Sequence, residues 1–145
     1  MKVLIIPEDP THDQYVIKPI IERIFLELGR RAYVEVLRDP HLRGVDQALD
    51  REVIGSIIAD NRMIDLFIVV VDRDCNRYKN VEKAAAREAD FPNDVLVCLA
   101  EQEVEVWALA LYREQIADRW AVVRAECDPK ERYFDDLMRR QGWET

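Results

Sequence analysis

Six consecutive apolar residues, Leu66-Phe67-Ile68-Val69-Val70-Val71, run directly into Asp72-Arg73-Asp74. A strand without a polar position has no face to show to water. It suits a sheet covered on both faces, the habit of parallel sheets in α/β proteins. In open sheets of that kind ligands bind beyond the carboxyl ends of the strands, where this run delivers two acids. Residues i and i+2 of an extended segment face the same way, roughly 6 to 7 Å apart, so Asp72 and Asp74 can converge on one hard cation. Two bare carboxylates about 4 Å apart repel by on the order of 4 kcal/mol at an effective dielectric near 20, a cost that a divalent ion removes. Asp is also common in loops at strand exits, and that explanation needs no ion.

The remaining elements alternate in type. Val3 to Ile6 is a short apolar run, and Val16, Ile17, Ile20, Ile21, Ile24, Phe25 and Leu28 then recur at helical spacing up to a stop at Gly29. Ala32 to Leu37 reads as a second strand ending near Asp39-Pro40. Val45, Leu49, Val53, Ile54, Ile57 and Ile58 predict one amphipathic helix from Val45 to about Asn61, weakened at Gly55. After the Leu66 strand come a charged, alanine-rich helix from Val81 to Glu88 and a buried strand from Asp94 to Leu99. A helix with an acidic first turn, favourable to its dipole, is expected from Glu101 to Leu111. The last helix starts at Asp128-Pro129-Lys130, with Asp as N-cap and Pro at the first helical position, and ends before Gly142. This order predicts an α/β fold: a mainly parallel sheet of about four strands with helices on both faces.

A chain of 145 residues fits a single domain, 1–145, able to bury about two-thirds of its unfolded surface. Met1 to Ile6 reads as a first strand and not as a signal peptide, since its apolar run is short and ends at Pro7-Glu8-Asp9. No apolar stretch approaches the roughly 20 residues of a membrane span. Cys75, Cys98 and Cys127 are odd in number and lack zinc-ligand spacing, which argues against structural zinc and a secreted disulfide framework and points to a cytoplasmic location. A net charge of −8 disfavours a passive nucleic-acid binder, because phosphate contacts need clustered Lys and Arg. A nuclease with acids around a metal is still compatible with it.

In a parallel sheet, Glu8, Asp72, Asp74 and the Glu101, Glu103, Glu105 group all fall just past strand ends, on one rim. Each acid alone is explained as a loop or helix-start residue. Crowded on one rim without a cation they would destabilise the fold. An all-oxygen donor set points to Mg²⁺ or Mn²⁺ and away from zinc.

The order of these acids resembles the Toprim family, the catalytic domain of topoisomerases, bacterial primases and the overcoming-lysogenization-defect nucleases. Ile6-Pro7-Glu8-Asp9-Pro10-Thr11-His12-Asp13 is similar to its first motif, a Glu followed by a turn and a second acid; Asp9 stands where many members have Gly. Val71-Asp72-Arg73-Asp74 matches its DxD motif, and Glu103-Val104-Glu105-Val106-Trp107 is similar to an acidic-plus-tryptophan segment of small Toprim-like proteins related to that nuclease group. Lys130 is the position that matches a lysine close to the scissile phosphate. The resemblance spans Glu8 to Lys130 and implies metal-dependent phosphodiester hydrolysis. Glu8, Asp72 and Asp74 would hold one Mg²⁺ or Mn²⁺, Asp13 with Glu103 or Glu105 a second, and Lys130 would stabilise phosphate charge. Expected catalytic residues are thus Glu8, Asp72, Asp74 and Lys130. Expected partners are nucleic acid, DNA in the first place, and an ATPase-bearing protein, as in bacterial antiphage or mobile-element systems; a homodimer is compatible, a membrane is not expected.

Other readings compete. The chain could be a non-catalytic Toprim-fold binding or regulatory module, which the acidic charge favours. A phospho-acceptor receiver domain also carries acids at strand ends, but Lys130 opens a helix where that fold expects a lysine after a fifth strand. None of Tyr15, Tyr33, Tyr78, Tyr112 or Tyr133 is marked as a topoisomerase nucleophile. His12 is placed to orient Glu8 or touch phosphate, an exposed loop position explains it as well, and His41 has no evident partner. Trp107 is spaced for core packing. Cys75 reads as a small hydrophobe or a thiol, with no Lys or His beside it to activate it.

Overall fold

The computed structural model describes residues 1–143. The two strands apolar on both faces, β1 (Lys2–Pro7) and β3 (Leu66–Asp72), are neighbours at the centre of a four-stranded, all-parallel sheet of order β2-β1-β3-β4. The outer strands are β2 (Tyr33–Val36) and β4 (Val95–Ala100). The register pairs Ile5 with both Val36 and Ile68, and Pro7 with Val70. Chain and strand order part company at β1: β2 lies to one side of it, β3 and β4 to the other. With right-handed crossovers this sends the helix before β2 to one face and those before β3 and β4 to the opposite face. Such a reversal is the switch point at which open α/β sheets can form a ligand crevice, and the strand order puts it at the carboxyl ends of β1 and β3.

Alternation along the central strands explains why Val3–Ile6 and Leu66–Val71 are apolar throughout. Leu4, Ile6, Phe67, Val69 and Val71 pack with Leu49, Ile54 and Ile57, while Val3, Ile5, Ile68 and Val70 point to the other face and are equally buried. Each such side chain contributes about 2 kcal/mol by leaving water. α1 (Gln14–Glu27) buries Ile17 and Ile21 and ends at Gly29, whose φ of +67° is left-handed backbone suited to glycine.

The helix predicted from Val45 to Asn61 is two helices, α2 (Val45–Ala48) and α3 (Arg51–Asp60). Asp50 causes the break. Its backbone is extended, and its carboxylate accepts the Val53 N–H at 2.9 Å, starting α3 afresh. Gly55 sits where an added Cβ would meet the Phe91 ring at 3.7 Å, an ordinary contact. α4 (Val81–Asp90) precedes β4, and its Glu88 accepts the Val97 N–H at 2.8 Å along the outer edge of that strand.

The chain divides into two compact units, Met1–Val71 with Asn80–Leu99, and Asp72–Lys79 with Ala100–Thr145. The sheet, apart from the last residues of β3 and β4 (Asp72 and Ala100), and α1 to α4 belong to the first. The second holds α5 (Glu105–Leu111), a 3₁₀ turn (Arg113–Gln115), α6 (Trp120–Ala125), a π-helical turn (Lys130–Phe134) and α7 (Asp135–Gln141). Its core is Leu109, Val123, Tyr133 and Leu137, with the Tyr133 hydroxyl donating to Asp118 at 2.7 Å. The helical run from Lys130 stops at Gly142 as the sequence predicts, but opens with the π turn. α5 starts four residues later than expected: Gln102 has a φ of +63° and bridges Asp74, which keeps Glu101 and Glu103 out of the helix.

Candidate functional site

In the first unit, β1 delivers Glu8, whose N–H donates to Val70 O at 3.1 Å. The loop that follows is organised by Asp9. Its Oδ1 accepts the Thr11 N–H at 2.9 Å, its Oδ2 faces His12 Nδ1 at 3.1 Å, and its own N–H donates to Asp13 Oδ2 at 3.3 Å. Partial burial works against ionising Asp9, but the His12 ring and the N–H groups of Thr11 and His12 outweigh it and hold the carboxyl below its ordinary range. His12 therefore pairs with Asp9, and a turn that glycine would make through backbone freedom is made here by an Asx-type cap. Asp13 precedes α1 and bonds back to this loop.

The second unit contains Asp72, Asp74, Glu103, Glu105 and Lys130. Asp72 closes β3, and its Oδ1 accepts the Val104 N–H at 3.0 Å, tying the DxD to the segment before α5. Arg73 N–H donates to Ala100 O and Asp74 N–H to Gln102 O, so the ladder runs on past the strands. Asp74 has a φ of +52°, a left-handed conformation uncommon outside glycine, and pairs with Lys79. Glu101 is taken by Arg124 at 3.2 Å.

Asp74, Glu103, Glu105 and Lys130 act on one another. Burial, then the charges of Glu105 and Glu131, push the Glu103 carboxyl up to about 7, with Asp74 adding to the rise and the Lys130 backbone N–H opposing it. Burial also raises Glu105, against the pull of its own N–H and of the Lys130 ammonium, while Glu131 and Asp135 reinforce the rise. Glu103 Oε2 is buried without a hydrogen-bond partner. A buried carboxylate oxygen so placed, among other oxygens, suits a hard divalent cation. Even so, among the described residues no group of three or more His, Cys, Asp or Glu side chains is arranged to hold a metal ion.

Three features lay outside the reach of sequence reasoning. Arg73, the middle residue of the DxD, donates from Nη1 to Arg77 O at 3.0 Å, while its buried Nε has no partner. Arg73 and Arg77 line a 210 Å³ pocket with Asp74, Cys75, Glu101 and Gln102, bringing positive charge to the DxD of an acidic chain. Cys75, read as unpaired, is disulfide-bonded to Cys127, with Cα atoms 5.1 Å apart. Lys130 is exposed at the start of its π turn, and Trp107 is half-buried on α5, whose buried positions are Val106 and Leu109. No helix of the described residues is long and apolar enough to cross a membrane.

Comparison with protein-family models, curated proteins and solved structures finds no match to this chain.

Proposed function

We propose that this chain is a Toprim-type, Mg²⁺- or Mn²⁺-dependent phosphodiesterase acting on nucleic acid, alone or as the nuclease subunit of a complex with an ATPase. The observation that carries the reading is the mutual influence of Asp74, Glu103, Glu105 and Lys130, from three separate stretches of chain, around a buried carboxylate oxygen without a partner. Within the second unit, Asp72 and Asp74 with Glu103 or Glu105 are the acids that would hold such an ion. An ion bound there would supply positive charge to a phosphodiester and lower the pKa of its bound water. Lys130 donates to a phosphate oxygen, and the exposed Arg77 offers a planar guanidinium donor to the backbone of the nucleic acid.

The test is Mn²⁺-dependent nicking of supercoiled DNA by wild type and by Asp72→Asn/Asp74→Asn. We expect the double variant to lose roughly 100-fold or more, the equivalent of several kcal/mol of charge stabilisation. Equal activity would reject the site.

A non-catalytic binding module is the second reading, favoured by the engagement of Asp74 with Lys79 and of Asp72 Oδ1 with the Val104 N–H. Calorimetric titration separates the two. Mg²⁺ or Mn²⁺ binding in the millimolar range or tighter supports the enzyme, and none at all supports the module.

A further inference from the structure

Cys75 follows Asp74 directly, and Cys127 lies three residues before Lys130. Their bond therefore joins the loop carrying one candidate ligand to the segment carrying the candidate phosphate contact, across 52 residues of sequence. Both cysteines are exposed, whereas Cys98, the free one, is half-buried with its thiol pushed up by burial and by Glu88. Exposed disulfides are the ones that exchange with solvent thiols. Cys75 also lines the 210 Å³ pocket with Arg73, Asp74, Arg77 and Glu101, which leaves one sulfur of the bond beside an open cavity.

We propose that the Cys75–Cys127 bond is a reversible redox latch on the candidate site: closed, it ties the Asp74 loop to the start of the Lys130 turn; open, it lets the two separate. The regulatory consequence rests on the nuclease reading, but the latch does not. The reductant is a small thiol of the glutathione class. Its thiolate attacks one sulfur, breaking the Cys75–Cys127 bond and forming a mixed disulfide. A second thiolate displaces the remaining cysteine. Two electrons pass from the reductant to the protein sulfurs, two protons end on Cys75 and Cys127, and the reductant leaves as its own disulfide. Oxidation by that disulfide is the reverse.

The experiment equilibrates the whole chain in mixtures of reduced and oxidised glutathione, alkylates it under denaturing conditions and counts free thiols by mass. The same samples, with Cys75→Ser and Cys127→Ser as constitutively open forms, go to amide hydrogen exchange. A change from one to three free thiols across the glutathione series is expected, with exchange at residues 73–79 and 126–131 at least tenfold faster in the open forms. A pair that stays bonded in excess reduced glutathione, or never forms in oxidised glutathione, overturns the proposal; so does unchanged exchange in chemically reduced wild type, which needs no variant to fold. On the nuclease reading the closed form nicks DNA at least fivefold faster, and equal nicking overturns the regulatory link. A chain inactive in both states sinks the nuclease reading, while thiol count and exchange still decide the latch.

Discussion

Glu103 is the side chain most dependent on its surroundings. In an unfolded chain its carboxyl ionises near pH 4.3, whereas burial and its acidic neighbours move it to about 7 in the fold. Below about pH 4.3 both states are protonated and nothing is lost. As pH rises from there to about 7, the unfolded chain releases a proton that the folded one retains, so stability falls, and above about 7 the whole penalty is in place. In metal-free protein, Glu103→Gln should therefore raise the melting temperature by on the order of 3 °C at pH 8 and leave it unchanged near pH 4. Thermal melts by circular dichroism at the two pH values check this; the same rise at both would rule out charge as the cause. Gln102, held at a φ of +63°, gives a second case. Gln102→Gly should gain about 0.5 kcal/mol in urea denaturation, because relief of roughly 1 kcal/mol of left-handed strain exceeds the added freedom of the unfolded chain. At this scale the placing of Glu8, Asp72 and Asp74 at or just past strand ends is legible in the sequence, since it follows from the hydrophobic pattern, whereas Lys130, which opens a π turn, is reached only through the Toprim resemblance. The orphaned Arg73 Nε and the Cys75–Cys127 bond are not legible, because each depends on which distant segment arrives beside it.

Among the elements, periodicity finds strands and helices well and helix starts poorly, because starts are set by single hydrogen bonds. The apolar spacing from Val45 to Ile58 continues across Asp50, yet one carboxylate accepting one N–H restarts the helix. Asp50→Ala should cost about 1 kcal/mol, read as a lower urea midpoint with unchanged slope. The same competition acts before α5, where bridging of Asp74 to Gln102 keeps Glu103 in a turn. The closed loop between Cys75 and Cys127 belongs to this scale too. In the chain-entropy account, opening a loop of 52 residues removes about 4 kcal/mol of folding stability. Urea denaturation of oxidised wild type against Cys127→Ser measures it.

For the whole molecule, the parallel sheet is legible because a strand apolar on both faces has few other homes, and the order β2-β1-β3-β4 then fixes where a crevice can form. The division into two units is not legible, since no Gly-rich or Pro-rich linker marks it. A net charge of −8 has a consequence for binding. In chelator and 0.15 M salt the chain should not shift a DNA duplex in a gel, whereas a few millimolar Mn²⁺ should produce a shift that Asp72→Asn/Asp74→Asn abolishes. A shift already strong in chelator would contradict an acidic, ion-dependent surface.

The Glu88 carboxylate on the Val97 N–H sits where a fifth strand would have to hydrogen-bond. By spending that donor internally, α4 makes the outer margin of β4 a poor template for incoming chains, and a Glu88→Ala protein left concentrated at warm temperature should build fibrils sooner than its parent, as thioflavin fluorescence would record.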